Sequence, residues 1–298
     1  MDYILTLMAG AGAACDLPDS AAKACAALRA LGARASPPDW LCPRMACDIH
    51  VSAIEAKAAA ACIRDLLAGI PVDLAVQPAL DRRKHLLVAD MESTIITREL
   101  IDELARLAGL GARIAEITAR SMRGEIDFAQ SLRARVAMLA GAPADLLARV
   151  AELIELTPGA RRLVQTMKAA GARTVLVSGG FDVFAAIAAE RCGFDEFHAN
   201  HLEVANGRIV GKVAEPILDR AGKKAILGRI ARECGLALEA CATVGDGAND
   251  IDMLKAAGLG VAFHAKPAVA AAAGFRLERA DLAGVLYLQG HRCDEFRE

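Results

Sequence analysis

Two carboxylates follow directly on a run of apolar residues in the stretch HLLVADMESTIITRELIDELA, residues 85–105. Asp90 ends a segment whose other residues favour burial, and Glu92 stands two positions further on. A buried carboxylate without a partner costs several kcal/mol, so Asp90 requires a cation or hydrogen-bond donors nearby. The pattern favours a functional carboxylate, with a helix N-cap or a surface acid as the alternative for this segment alone.

A second acidic group occurs in the stretch VGDGANDIDML, residues 244–254. Asp246 lies between two glycines, and Asn249 and Asp250 follow within one helical turn. Carboxylate and amide oxygens at this spacing suit a hard cation such as Mg²⁺. The alternative is an Asp-Gly turn with a capping asparagine.

Two weaker signals are compatible with binding of a phosphate group. The residues SGG at 178–180 follow the apolar run TVLV, and a hydroxyl with glycine amides can hold an oxyanion. Turns between a strand and a helix also use serine and glycine for geometry alone. Lys223 and Lys224 open a helical pattern, where a lysine either neutralises a phosphate or lies solvated at the surface.

The composition excludes several classes of protein. The 298 residues are enough for two domains, and 55% hydrophobic with 24% charged residues predicts a packed core. A net charge of −2 with interspersed signs argues against nucleic-acid binding. No uncharged apolar run reaches the ~18 residues of a membrane span, so no membrane association is expected.

The N-terminus and the cysteines predict a cytoplasmic protein. Asp2 stands where a signal peptide has basic residues, so we expect no targeting segment. The nine cysteines are odd in number and scattered, without a CxxC pair. They are typical of reduced, partly buried thiols rather than of disulfides or a zinc site.

The order strand, helix, strand, helix, strand predicts a small α+β domain over residues 1–80. The strands are expected at 2–9, 45–53 and 72–78, and the helices at 20–32, with Ser20 as N-cap, and at 53–70.

The pattern changes at His85. The short apolar runs LLVAD, TVLVSGG, ATVGDG and LGVAF alternate with helical patterns, which is typical of an open parallel α/β sheet. Ligand sites in such sheets lie beyond the carboxyl ends of the strands, where three of these four runs carry polar or glycine-rich residues. Consecutive helical patterns at about 98–156 predict an inserted cap, and Asn206-Gly207 predicts a hairpin turn.

These segments, in this order and spacing, resemble the motifs of the haloacid dehalogenase (HAD) superfamily of phosphatases. The segments ARSMRGEIDFAQSLRARV, TPGA, VSGGFD and VGDGANDIDMLKAAGLGVAFHAKP look like the phosphoserine phosphatase family within it. The resemblance covers roughly residues 85–290. It implies an α/β fold, a HAD-type Rossmann-like parallel sheet over 81–298 with a helical-bundle cap inserted at about 98–156. Residues 1–80 look only loosely like a small regulatory, ACT-like α+β domain.

The resemblance also implies a reaction, the Mg²⁺-dependent hydrolysis of O-phospho-L-serine, the last step of L-serine biosynthesis. Asp90 would be the nucleophile that forms an aspartyl-phosphate, and Glu92 the general acid and then the general base. Mg²⁺ would be held by Asp90, Asp246 and the main-chain carbonyl of Glu92, with Asp250 in support. The substrate-binding residues that it implies are Glu99 for the ammonium, Arg135 for the carboxylate, Met122 and Phe128 for closure, and Ser178, Gly179, Gly180, Lys223 and Asn249 for the phosphate and its surroundings.

Glu92 departs from the family, which usually has aspartate at this position. The extra methylene extends the carboxyl by ~1–1.5 Å, while the reference pKa values of the two acids are similar, about 3.9 and 4.3. A fixed misplacement of ~1 Å can cost about 10²-fold in rate. The alternative is that Glu92 lends only its main-chain carbonyl and that water supplies the proton.

Two other functions remain open at this point. One is a phosphotransferase that passes the phosphoryl group from phosphoserine to an alcohol such as homoserine. The other is a non-catalytic sensor of a phosphorylated ligand. Small α+β domains of the N-terminal kind often pair through their sheets, which makes a homodimer one expectation.

Overall fold

Two β-sheets organise the computed structural model, which describes residues 2–10 and 15–298. The first is an antiparallel sheet with strand order β2–β4–β1–β5 and with β3 paired to β4. Its elements are β1 (Tyr3–Ala9), α1 (Leu17–Ala30), β2 (Arg34–Ala35), β3 (Asp39–Cys42), β4 (Ala46–Ser52), α2 (Ala56–Leu66) and β5 (Val72–Pro78).

Helix α1 begins earlier than expected. Asp16, not Ser20, is its N-cap, and the Asp16 side chain accepts a hydrogen bond from Asp19 N. Proline in the first turn, where the N–H has no partner in any case, allows the helix to start at Leu17. Ser20 lies buried inside the helix, so the prediction of Ser20 as cap was wrong.

The second sheet is parallel and has six strands in the order β13–β12–β11–β6–β7–β8. The elements after β5 are β6 (Leu86–Asp90), α3 (Leu100–Leu107), α4 (Gly111–Met122), α5 (Phe128–Met138), α6 (Asp145–Ala151), α7 (Ala160–Ala169), β7 (Arg173–Phe181), α8 (Asp182–Cys192), β8 (Glu196–Asn200), β9 (Leu202–Ala205), β10 (Arg208–Val213), α9 (Arg220–Glu233), β11 (Cys241–Gly245), α10 (Ile251–Ala256), β12 (Leu259–Phe263), α11 (Pro267–Ala272), β13 (Phe275–Leu277) and α12 (Gly284–Leu288).

Both faces of the parallel sheet are buried. Leu87 and Ala89 of β6 belong to the large apolar cluster on one face. Leu86 and Val88 belong to a second cluster, with residues of α9, on the other. Burial on both faces explains why the strands are almost continuously apolar. The predicted α/β fold class with a parallel sheet is confirmed.

Helices α3–α6 lie between β6 and α7 in the chain and form the cap. The hairpin β9–β10 packs against it, because Gly141 N donates to Ile209 O and Ile209 N to Ala142 O, each at 2.9 Å. Asn206 and Gly207 have φ values of 50° and 69°, as the predicted hairpin turn requires.

One face of the antiparallel sheet packs against the rest of the chain. Met8, Ala46 and Ala75 are buried in the same apolar cluster as residues of the parallel sheet, and α12 contacts β1. A homodimer that pairs through this sheet stays a prediction, and it would use a surface of the sheet other than this face. We propose the domain boundary at residue 80, between β5 and β6.

No helix within residues 2–10 and 15–298 is a candidate for a membrane span. None of the helices there combines the length and the apolar character that crossing a bilayer requires.

Candidate active site

Three carboxylates meet beyond the carboxyl ends of the central strands. Asp90 is the last residue of β6, and Asp246 follows β11, which lies next to β6 in the sheet. Asp250 precedes α10. One oxygen from each carboxylate lies within 4.8 Å of the others, so the three can share one cation. This convergence is what the strand-end argument from sequence predicts.

Lys223, near the start of α9, lies under these carboxylates. Its Nζ donates to Asp90 Oδ1 at 2.6 Å and to Asp250 Oδ1 at 2.7 Å. The lysine is 0% exposed, which excludes the solvated alternative considered from sequence. The two acids outweigh burial and raise the Lys223 pKa, so the ammonium stays charged.

The carboxylates carry more negative charge than this one ammonium balances. Burial and then the Asp250 carboxylate raise the pKa of Asp90 well above its ordinary value. The same two causes raise the pKa of Asp246 to about 6. A surplus of buried negative charge, carried only by oxygen ligands, fits a hard divalent cation.

Glu92 lies beside this cluster and is largely buried. Its Oε1 accepts a 2.8 Å hydrogen bond from Leu100 N. Its Oε2 lies against Gly180, where an added Cβ would approach to 2.8 Å. Burial and then the Glu99 carboxylate raise the pKa of Glu92 to about 8, so the side chain is protonated at neutral pH and can donate a proton.

The carboxyl-terminal end of β7 and the loop after β11 present small residues and amides. Ser178 is buried beneath the surface of the site, and its Oγ accepts from Gly180 N at 2.9 Å. Asn249 Oδ1 lies against Gly247, where an added Cβ would come within 2.2 Å and would displace the Asn249 side chain. Gly247 N donates to Asp250 Oδ2 at 3.0 Å, which fixes the orientation of that carboxylate.

The cap lines one side of a cavity of about 410 Å³ that lies over these groups. Phe128 lies over Gly179, where an added Cβ would approach its Cζ to 2.8 Å. Arg135 points into the cavity and donates only to Ser131 O, at 3.4 Å, without an ion pair to any residue within the described ranges. Glu99 also lines the cavity and accepts from Ser93 Oγ at 2.8 Å.

The site residues predicted from sequence fall into three groups. Asp90, Glu92, Glu99, Phe128, Arg135, Gly179, Gly180, Asp246 and Asn249 line the cavity. Ser178, Lys223 and Asp250 lie directly beneath it. Met122 ends α4, but its side chain lies outside the described residues.

Two basic residues at the cavity were not predicted. Arg220, which pairs with Asp252, begins α9, and Lys266 follows β12. Of the four parallel strands predicted from sequence, β12 is the one whose end was given no polar role, so the strand-end rule could have identified Lys266. The other unpredicted lining residues are Ile101, Ser121, Leu132, Phe181, Gly247 and Ala248.

Comparison with known proteins agrees with this geometry. A family model described as haloacid dehalogenase-like hydrolase matches residues 87–255, and the chain belongs to this family.

Its relatives include proteins named phosphoserine phosphatase. One from Streptomyces coelicolor is 45% identical over 255 residues, 85% of this chain and 62% of that protein. One from Lactococcus lactis is 46% identical over 203 residues, 68% of this chain and 94% of that protein. A crystal structure of a probable phosphoserine phosphatase from Vibrio cholerae superposes with a TM-score of 0.77 at 32% identity, covering 99% of this chain and 88% of that one. The chain thus spans less than two thirds of the Streptomyces coelicolor relative.

Proposed function

We propose that this protein hydrolyses O-phospho-L-serine to L-serine and phosphate with Mg²⁺ as cofactor. The observation that carries the proposal is the position of Asp90, whose carboxylate is ion-paired with Lys223 at the base of a capped cavity that also contains Glu92. The names of the relatives supply the substrate, and the cavity residues are compatible with it.

Asp90 and Glu92 would perform the first half of the reaction. An Asp90 carboxylate oxygen attacks phosphorus, and the bond between phosphorus and the serine oxygen breaks. The departing oxygen takes the proton of the Glu92 carboxyl, whose raised pKa keeps it protonated before attack. The products are L-serine and an aspartyl-phosphate on Asp90.

Water completes the second half. The Glu92 carboxylate takes a proton from water as the water oxygen attacks phosphorus, and the bond between Asp90 and phosphorus breaks. Phosphate leaves, and both carboxyl groups return to their starting states. Lys223 offsets negative charge on Asp90 throughout, since it contacts Oδ1 directly.

The proposed metal would be held by Asp90, Asp246 and the main-chain carbonyl of Glu92, with Asp250 in support. Mg²⁺ bound there would reduce the repulsion between the Asp90 carboxylate and the phosphate dianion. The surplus negative charge of the three buried carboxylates supports a divalent ion.

Substrate selection would depend on Glu99 and Arg135. Arg135 has no ion pair with any described residue, and a guanidinium that lines a cavity in this way can bind a carboxylate through two hydrogen bonds. Glu99 can accept hydrogen bonds from the ammonium, and Phe128 excludes water from the reacting groups.

Arg135→Met tests this assignment. We expect it to raise KM for phosphoserine but to leave KM for phosphoethanolamine, which has no carboxylate, nearly unchanged. Glu99→Gln is the matched variant. It should raise KM for both substrates, because each of them has an ammonium group. An equal effect of Arg135→Met on both substrates would contradict the assignment.

Hydrolysis is preferred to phosphoryl transfer because the relatives are named phosphatases. Equal yields of serine and phosphate, in the presence and absence of homoserine, are the expected result. A cytoplasmic location is part of the proposal, in keeping with nine free cysteines.

A further inference from the structure

The Glu92 side chain needs its full length to reach a main-chain N–H at the start of the cap. Its Oε1 accepts from Leu100 N at 2.8 Å, and Leu100 is the first residue of α3. The first amides of a helix have no acceptor within the helix, so this N–H depends on an outside partner. An aspartate carboxyl would end ~1–1.5 Å earlier. The longer side chain is therefore matched to the start of the cap.

The two oxygens of Glu92 have different surroundings. Oε1 faces the Leu100 N–H, whereas Oε2 lies at Gly180, which lines the cavity. An oxygen that accepts an N–H hydrogen bond presents a lone pair to it, so the proton of the neutral carboxyl belongs on the other oxygen. The donor thus selects Oε2 as the proton-carrying atom.

The amide that makes this contact is held firmly. The Leu100 side chain is 0% exposed and belongs to the main apolar cluster. The preceding residue, Glu99, is extended and is tied back to Ser93 by a 2.8 Å hydrogen bond. The short loop from residue 92 to residue 100 therefore presents the N–H at a fixed point.

We propose that the Leu100 main-chain N–H is a positioning group for Glu92, which directs Oε2 at the departing oxygen of the substrate. The inference rests on the proposed function. Because Leu100 begins the first cap helix, the acid is correctly placed only while α3 is seated over the strand ends.

Leu100→Pro removes the N–H with little change to the backbone. Proline is favoured at the first position of a helix, and the extended φ of −90° and ψ of 104° at Glu99 suit a residue before proline. Leu100→Val is the matched reference, because valine and proline both have three side-chain carbons and valine keeps the N–H.

The kinetic test compares two leaving groups in a single turnover. Release of serine from phosphoserine needs a proton, whereas nitrophenolate leaves 4-nitrophenyl phosphate without one. Relative to Leu100→Val, we expect Leu100→Pro to slow serine release by about 10- to 100-fold, the scale of a lost or misplaced acid, with KM little changed. Nitrophenol release should change less than about threefold.

A second test does not depend on activity. Glu92→Gln keeps an acceptor at full length, so the Leu100 amide should stay protected from hydrogen exchange, as measured by NMR on leucine-labelled protein. Glu92→Asp should accelerate its exchange by about tenfold or more, the effect of losing one hydrogen bond.

The outcomes separate this inference from the proposed function. If the natural protein does not hydrolyse phosphoserine, the proposed function fails, and the exchange experiment still decides whether Glu92 and Leu100 are linked. Equal slowing of both leaving groups, or equal exchange in Glu92→Gln and Glu92→Asp, would overturn the inference.

Discussion

At the scale of single residues, the site depends on which carboxyl groups carry a proton. Glu92 is kept neutral by burial and by Glu99, with a pKa raised to about 8. Asp246 has a pKa raised to about 6 and must be ionised to bind a cation. The two groups are therefore in different states near neutral pH, as their proposed roles of acid and metal ligand require.

These values predict a bell-shaped pH dependence of kcat/KM. Activity should fall as the pH rises through about 8, because Glu92 loses the proton it donates. It should fall below about 6, because protons compete with the metal at Asp246. More Mg²⁺ should move only the acid limb, to lower pH, in rate profiles measured at two Mg²⁺ concentrations.

Glu92→Gln is the control for the alkaline limb. Its residual activity should no longer fall near pH 8, since no proton is lost there. An alkaline limb that shifts with Mg²⁺ concentration would place its origin in the metal ligands and contradict the assignment.

The sequence alone predicted which acidic residues form the site, but it did not explain why residue 92 is a glutamate instead of an aspartate. Asp90 and Asp246 follow strongly apolar strands, so their convergence could be predicted. The partner of Glu92 is the amide of Leu100, and this contact depends on where α3 begins and how the intervening loop folds. The spacing of side chains carries no signal for a main-chain donor.

At the scale of elements, the cap and the sheet meet where the start of α5 lies over the carboxyl-terminal end of β7. Phe128 and Gly179 make this contact, and a Cβ on Gly179 would approach Phe128 Cζ to 2.8 Å. The ring can therefore rest in place only because residue 179 has no side chain.

Gly179→Ala should raise KM for phosphoserine by displacing the Phe128 ring. Phe128→Ala should remove the clash. The loss of kcat/KM in the double variant, expressed as a free energy, is therefore expected to be smaller than the sum of the losses in the two single variants. The coupling should be about 0.5–3 kcal/mol in kcat/KM, as for residues in contact. Additive losses, within error, would show that the ring does not rest on Gly179.

The apolar inner strands of the parallel sheet were predicted well, and its two edge strands were not. β6, β7, β11 and β12 lie inside the parallel sheet, where burial on both faces requires apolar runs. β8 and β13 are its edge strands, with the sequences EFHAN and FRL. These two strands are more exposed than the inner ones, so their sequences lack the apolar run that identifies a buried strand.

At the scale of the whole molecule, a buried arginine joins the N-terminal sheet to the parallel-sheet domain. Arg82 Nη1 donates to Asp48 Oδ2 at 2.6 Å, and Arg82 Nε donates to Leu288 O at 3.1 Å. The Arg82 and Asp48 side chains are only 11% and 6% exposed. The sequence carries no signal for this role of Arg82, because its partners lie 34 positions before it and 206 after it and leave no local pattern.

Arg82→Gln should lower the free energy of unfolding by about 3–5 kcal/mol, because it leaves the buried Asp48 carboxylate without its cation. Arg83→Gln is the matched control. Arg83 pairs with Glu295 at the surface, where the two side chains are 50% and 37% exposed. Loss of this surface ion pair should lower the free energy of unfolding by at most about 1 kcal/mol.

Urea unfolding monitored by tryptophan fluorescence, which reports on Trp40 of the N-terminal sheet, and by circular dichroism would measure both variants. Equal costs for Arg82→Gln and Arg83→Gln would show that the buried pair does not stabilise the junction.

The most direct test of the proposed function is phosphate release from O-phospho-L-serine by the natural protein and by Asp90→Asn. Each is measured with Mg²⁺, with EDTA, and after Mg²⁺ is restored. We expect turnover that EDTA abolishes and Mg²⁺ restores, and a loss of at least about 10³-fold in Asp90→Asn, on the scale of removing a nucleophile. A natural protein that releases no phosphate, or an Asp90→Asn variant that keeps its rate, would contradict the account.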